Sequence, residues 1–293
     1  MNNAIERIEE KLVEAIKKAV CELPEDVVEA LKKAYEREES EIAKIQLDAI
    51  LKNIEVAKKE ALPMCQDTGT QTFFVEIGAD FKCAPGDMKL LKDTIAKAVR
   101  RATAEVPLRP NAVDPFTKKN SRDNTGRFIP SITWDFVDGS DITITALPKG
   151  GGSENQSALG MIKPTEGLEG AKKFVIDRIL EAGGEPCPPT IIGVCIGGGA
   201  DLSMKLAKKA LLRRTGERHP DPKIADLERE LIEKINATGI GPMGLGGKTT
   251  VLDVHVEYAS RHPASFPVGV VVQCWAHRKA KVIIHSDDTV EVV

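Results

Sequence analysis

Apolar residues at Ile8, Leu12, Ala15, Ile16, Ala19 and Val20 recur at intervals of three and four, which places them on one face of a helix over 5–23. Pro24 suits the first turn of a second helix running to about Glu39, and a third, rich in Ala, Ile and Leu, is expected from about Glu41 to about Ala61. After Thr70 the period changes. Thr72-Phe73-Phe74-Val75-Glu76-Ile77 reads as a strand, and 88–105 as an amphipathic helix. The segments 132–137 and 142–147 alternate on either side of Asp138-Gly139 and read as a hairpin-like pair. A helix over 168–182 precedes the buried-looking strand Thr190-Ile191-Ile192-Gly193-Val194, and helices follow from about Asp201 and over 224–235. Strands are expected over 250–258 and 267–273, with strand-like pieces over 281–293. The pattern predicts an α+β protein, with a helical N-terminal layer over 1–62 and a mixed-sheet body over 63–293 that forms one continuous domain.

Composition narrows the function classes. A chain of 293 residues with 42% hydrophobic content can bury a sizeable core. Forty-one basic against 44 acidic residues, with no long basic run, point to neither nucleic acid nor a lipid surface. The partner expected is a small molecule or another protein. The start, Met1-Asn2-Asn3-Ala4-Ile5-Glu6-Arg7, lacks the basic and apolar regions of a signal peptide, and no apolar run approaches the ~20 residues of a membrane span, so the expected location is the cytoplasm. The six cysteines form no CxxC pair and no dense disulfide-like spacing, which leaves them as buried thiols or metal ligands.

The candidate chemistry centres on Pro63-Met64-Cys65-Gln66-Asp67-Thr68-Gly69-Thr70. Cys65 can supply a thiolate to a metal, Asp67 can move a proton, and Gln66, Thr68 and Thr70 can hydrogen-bond a polar substrate; a plain polar turn reads the same way. Cys195, at a strand end before Gly197-Gly198-Gly199, and Cys274, after another strand, lie in equally turn-like surroundings. Cys187, beside Pro188-Pro189, is set aside in favour of Cys195, and Cys21 and Cys83 read as structural. In Lys149-Gly150-Gly151-Gly152-Ser153-Glu154-Asn155 the glycines let backbone amides approach an anion, although a flexible connection has the same composition. The polar stretch around Arg109, with Asn120, Asp123 and Asn124 beyond it, suits a surface loop and a substrate-facing loop equally. Gly241 to Thr250 invites comparison with a phosphate-binding loop, but Pro242 stands where that motif requires glycine and no strand signal precedes it.

Taken together and in order, CQDTGT, KGGGSEN, GVCIGGG, GPMGLGGKTT, RHPAS and CWAHR resemble the class I, iron–sulfur fumarate hydratases and the related L-tartrate dehydratases, over nearly the whole chain from Cys65 onward. Two-domain members of that family carry a further C-terminal domain, so the resemblance implies an alpha subunit completed by a separate beta chain in a hetero-oligomer. It implies a 4Fe-4S cluster held by Cys65, Cys195 and Cys274, with one iron lacking a protein ligand. That iron would act as a Lewis acid in the reversible hydration of fumarate to (S)-malate. Asp67 is then the acid, Gln66 a substrate contact, and His262 a hydrogen-bond partner of Asp67 or of the substrate. Arg109 is the expected clamp on a dicarboxylate, the backbone of Gly151 and Gly152 faces substrate, and the catalytic base comes from the beta chain. His255, His277 and Lys248 are left as structural. The competing readings are the alpha subunit of an L(+)-tartrate dehydratase, a non-catalytic iron–sulfur or zinc protein, and a nucleotide-binding module built on Gly246-Gly247-Lys248-Thr249.

Overall fold

The helical period of the N-terminal segment folds as α1 (Asn2–Cys21), α2 (Glu25–Arg37) and α3 (Glu41–Glu60) in a computed structural model that describes residues 2–84 and 86–293. The chain divides into two compact units. The first comprises Met1–Pro24, Asn53–Gly150 and Arg278–Val293, and the second Glu25–Lys52 and Gly151–His277. The N-terminal helices are therefore shared out, α1 to the first unit and α2 with most of α3 to the second.

In the first unit, β1 (Thr70–Gly78), β2 (Ser131–Val137), β3 (Ile142–Lys149), β8 (Ala280–Ile284) and β9 (Val290–Val292) form one sheet in the order β2-β1-β3-β8-β9. Phe73, Val75 and Ile77 alternate along β1 and pack with Leu12 and Ile16 of α1 and with Ile95 and Val99 of α4 (Asp87–Glu105) in one buried cluster. The period of two on the strand and of three to four on the helices thus produces a single apolar face on each element. The expected hairpin is not formed. β2 runs parallel to β1 and β3 antiparallel to it, so β1 lies between the two. The intervening turn wraps the end of β1, where Gly78, Ala79 and Asp80 donate backbone N–H bonds to the carbonyls of Asp141, Val137 and Gly139. Alternation specifies which face of a strand is buried and carries no information about its neighbour, which is why the sequence suggested direct pairing.

In the second unit, β4 (Ala158–Met161), β5 (Thr190–Gly197), β6 (Val251–Ala259) and β7 (Pro267–Gln273) form a sheet in the order β4-β7-β5-β6. β5 is parallel to β6 and antiparallel to β7. One face packs on α6 (Gly167–Ala182) and α8 (Pro222–Asn236) through Val175, Leu231, Val254, Val270 and Val272. Against the other face, α7 (Ala200–Ala210) lies almost on the strand backbones: a Cβ at Gly193 would stand 2.0 Å from the Ala207 carbonyl oxygen, and one at Gly269 2.7 Å from that of Ser203. The fold is α+β with two mixed sheets. Among the described residues no helix is long and apolar enough to cross a membrane.

Buried ionic groups line the outer edge of β6. Glu228, with no exposed surface, accepts from Val256 N at 2.8 Å, from His219 N at 3.0 Å and from Arg213 Nη1 at 2.5 Å. Arg213 Nη2 and Arg218 Nη1 donate to the carbonyls of Val256 and Val254, each at 3.2 Å. Asp253 accepts from Gly216 N at 2.5 Å and from Arg218, and faces His255 Nε2 at 3.2 Å. Burial alone would push the Asp253 carboxyl up; the hydrogen bonds and charge of His255, the Gly216 amide and Arg218 outweigh it and hold it below its ordinary 3.8. A carboxyl depressed in the folded state stabilises fully above its unfolded pKa and loses that contribution as pH falls. We therefore expect Asp253→Asn to lower stability at neutral pH and to flatten the decline in stability below about pH 4, measured by urea unfolding across that range.

Candidate active site

The Cys65 loop joins α3 to β1 and is tied down at both ends. Met64 N donates to Val20 O at 3.0 Å and Asn53 Nδ2 to Met64 O at 2.7 Å. Further on, Thr68 and Arg109 bond reciprocally, Arg109 N donating to Thr68 Oγ1 at 3.0 Å and Thr68 Oγ1 to Arg109 O at 3.3 Å. This pairing places Cys65, Gln66, Thr68 and Arg109 around one open cleft of about 710 Å³ in the first unit. The Asp67 carboxyl is held through Oδ1, which accepts from Gly69 N at 2.9 Å and from Asn111 Nδ2 at 3.3 Å.

Asn124 organises the Arg109 stretch from below. It is 1% exposed, adopts a left-handed backbone (φ 58°), accepts from Asn111 N at 2.6 Å and donates to Thr103 Oγ1 at 3.1 Å and to Arg109 O at 3.2 Å. Asparagine is among the few residues that enter this conformation readily. Composition left this loop undecided between surface and site, and its hydrogen bonds tie it to the Cys65 segment.

In the second unit the cysteines sort by position. Cys187 sits in a turn with φ 55°, and its carbonyl accepts from Trp275 N at 3.1 Å, which joins it to the residue after Cys274. Both Cys187 and Cys274 are half-buried, as Cys65 is, whereas Cys21 and Cys195 are buried and Cys83 is exposed. Cys195 pairs with Gly269 on β7, five positions before Cys274, so about 16 Å of ladder separates them at about 3.3 Å per residue. It lies beneath α7, Ser203 Oγ donates to its carbonyl at 3.1 Å, and burial pushes its thiol up to about 11. Among the described residues no cysteine is in a disulfide, and no three His, Cys, Asp or Glu side chains are grouped to hold a metal ion.

The remaining expected residues of this unit are dispersed. Gly151 and Gly152 open α5 (Gly151–Glu154), a single helical turn whose Ser153 Oγ donates to Gln273 Oε1 at 3.4 Å. Gln273 Nε2, fully buried, finds no acceptor among the described residues. His262 is exposed in the turn between β6 and β7, at the end of β7 opposite Cys274, and its Nδ1 accepts from Ala264 N at 3.1 Å. His255 and His277 are buried against the carbonyls of Ala210 and Leu211.

The glycine-rich loop after α8 spends its amides on the protein. Lys248 N donates to Glu38 Oε2 at 2.7 Å, Gly246 N to Ile240 O at 2.9 Å, and Met243 N to Pro188 O at 2.7 Å, while Lys248 Nζ pairs with Glu39 at 2.5 Å. A phosphate cradle requires such N–H groups to point at a ligand, so the nucleotide reading finds no support here. The loop instead abuts the Cys187 turn, where a Cβ at Gly244 would stand 2.5 Å from Gly184 Cα.

The cleft of the first unit thus presents a thiol, an amide, a hydroxyl and a guanidinium. A profile of the family described as Fumarate hydratase (Fumerase) matches residues 9–283, and the chain belongs to this family of hydro-lyases. A protein of Methanocaldococcus jannaschii named "Putative L(+)-tartrate dehydratase subunit alpha" is 51% identical over 94% of this chain and 96% of its own. L(+)-tartrate dehydratase subunit alpha of Escherichia coli O157:H7 is 39% identical over 92% of this chain and 88% of its own, and that of Escherichia coli K12 is 38% identical over the same shares.

Replacing Asn124 by Ala removes an acceptor and two donations inside the loop and leaves a β-carbon in the left-handed region without a side-chain bond to offset it. We expect a loss of about 2–3 kcal/mol in urea unfolding. Asn124→Gly should recover about 1 kcal/mol of it, because glycine restores the backbone preference alone.

Proposed function

We propose that this chain is the alpha subunit of an iron–sulfur hydro-lyase that removes water from a 2-hydroxy dicarboxylate, with L(+)-tartrate ahead of malate as substrate. The names of the relatives favour tartrate over fumarate, and their designation as subunits favours a beta chain that completes the site. The observation that carries the cluster reading is the Trp275 N–H bond to the Cys187 carbonyl, which brings two half-buried thiols to one end of a strand ladder. With Cys65 they make three cysteines of matching exposure in loops, the donor chemistry a cluster with one open iron requires. Cys65, Cys187 and Cys274 are therefore the residues that would hold it. Cys195, assigned that part from sequence, is better suited as a buried packing residue, as its separation along the ladder and its complete burial favour.

Bound there, such a cluster supplies a Lewis acid for the hydroxyl and carboxylate oxygens of the substrate. The residues of the chain do the rest. Arg109, with Gln66 beside it on the cleft, offers a guanidinium fork to a substrate carboxylate. Asp67, whose Oδ1 is held by Gly69 and Asn111, is the residue that gives a proton to the departing hydroxyl. In this reading Gly151 and Gly152 contribute backbone, and the beta chain supplies the base. His262 lies at the other end of its sheet from Cys274.

Two measurements test the reading. After anaerobic reconstitution, iron and sulfide are expected to be lost in Cys65→Ser, Cys187→Ser and Cys274→Ser and retained in Cys195→Ser. Retention in Cys187→Ser with loss in Cys195→Ser would return the ligand to Cys195, and zinc held in place of iron would support the structural-metal alternative. With the beta chain present, kcat/KM is expected to be highest for L(+)-tartrate. A preference for malate and fumarate would make the enzyme a fumarate hydratase, and turnover of none of the three would overturn the substrate class.

A further inference from the structure

Arg278 is among the largest fully buried side chains of the chain, 1% exposed, and sequence reasoning gave it no role. Its Nη1 donates to the backbone carbonyl of Asp67 at 2.9 Å. A Cβ at Gly150 would stand 3.7 Å from Arg278 Nη2 and 3.2 Å from Asp67 Oδ2, so the guanidinium and the carboxyl oxygen border the same spot. Arg278 Nε is buried without an acceptor among the described residues. All these groups belong to the first unit.

A buried guanidinium is a poor device for stability alone. Removing it from water costs several kcal/mol, an unspent N–H adds about 1–3 kcal/mol, and an apolar side chain of similar volume is often neutral or stabilising at such a position. Its geometry suits another purpose. Asp67 is gripped at two points, the carbonyl by Arg278 and Oδ1 by Gly69 N–H and Asn111, which fixes the peptide and the carboxyl together. The other carboxyl oxygen, Oδ2, lies beside Gly150, where a Cβ would stand 3.2 Å from it.

We propose that Arg278 is a positioning residue that aims the Asp67 carboxyl by holding the Asp67 peptide. The proposal rests on the reading of Asp67 as the acid. Displacing a proton-transfer group by about 1 Å costs on the order of 10²-fold in rate, so the consequence is kinetic. The test uses the alpha–beta enzyme carrying Arg278→Met, which keeps an apolar stem, Arg278→Lys, Asp67→Asn, and the double variant Arg278→Met/Asp67→Asn. Expected for Arg278→Met is a fall in kcat of about 10- to 100-fold with KM changed by less than about twofold. Iron and sulfide contents should match the unaltered enzyme, and Arg278→Lys should regain part of the loss. In the Asp67→Asn background, Arg278→Met should cost less than about twofold in the residual rate, because the two residues act as one unit.

Full additivity in the double variant, or iron loss that tracks the rate loss, would overturn the proposal. So would an unchanged kcat in Arg278→Met beside an impaired Asp67→Asn, and that outcome leaves the acid assignment standing. Near-normal turnover in Asp67→Asn overturns the acid assignment itself and the proposal with it. Should Arg278→Met fail to fold, Arg278→Lys singly and with Asp67→Asn carries the same comparison.

Discussion

The register of the β5–β7 ladder is the constraint on which the placement of the second unit's cysteines depends. Ile191 opposite Gln273 puts the start of β5 beside the end of β7, so the turn before one strand and the residues after the other meet. That is how Cys187 and Cys274 become neighbours with a backbone bond across them. The same register sends Cys195 and the turn bearing His262 to the far end. A ladder measures distance in fixed steps, and neither end can approach the other without breaking every intervening pair.

Around these ends, hydrogen bonding replaces regular structure as the source of definition. The Cys65 segment and the Arg109 stretch are irregular, yet Thr68, Asn111 and Asn124 hold their backbone groups at stated distances. The loop from Gly241 to Lys248 is built on the same logic, its amides turned inward to Glu38, Ile240 and Pro188. Its glycines serve close packing of one backbone on another, a use of glycine that leaves the same letters in a sequence as an anion cradle does.

The helices and most strands were legible because their burial is periodic: α1, α4, α6, β1, β5 and β7 lie where the apolar spacing put them. What was not legible is neighbourhood. Residues 132–147 carry a hairpin's alternation and turn, and only the insertion of β1 between the two strands distinguishes the outcome. β4 was missed because four residues give too short a run to show a period. Of the residues singled out by type and family resemblance together, Cys65, Gln66 and Arg109 line one cleft. Cys195 drew attention by its glycines, although the apolar run it ends, Thr190 to Val194, was the sign of a core position. Arg278 is invisible to pattern, since nothing in a sequence marks a cation that folding will remove from water.

The ionic groups along β6 have a consequence beyond stability. Val254 and Val256, on the outermost strand of their sheet, give their backbone carbonyls to Arg218 and Arg213, and their amides to Asp253 and Glu228. Side chains thereby occupy the positions another strand would need in order to add on. Growth of this sheet by edge-to-edge pairing is closed on that flank and confined to β4, whose four residues offer little template for misassembly when the chain is crowded with copies of itself.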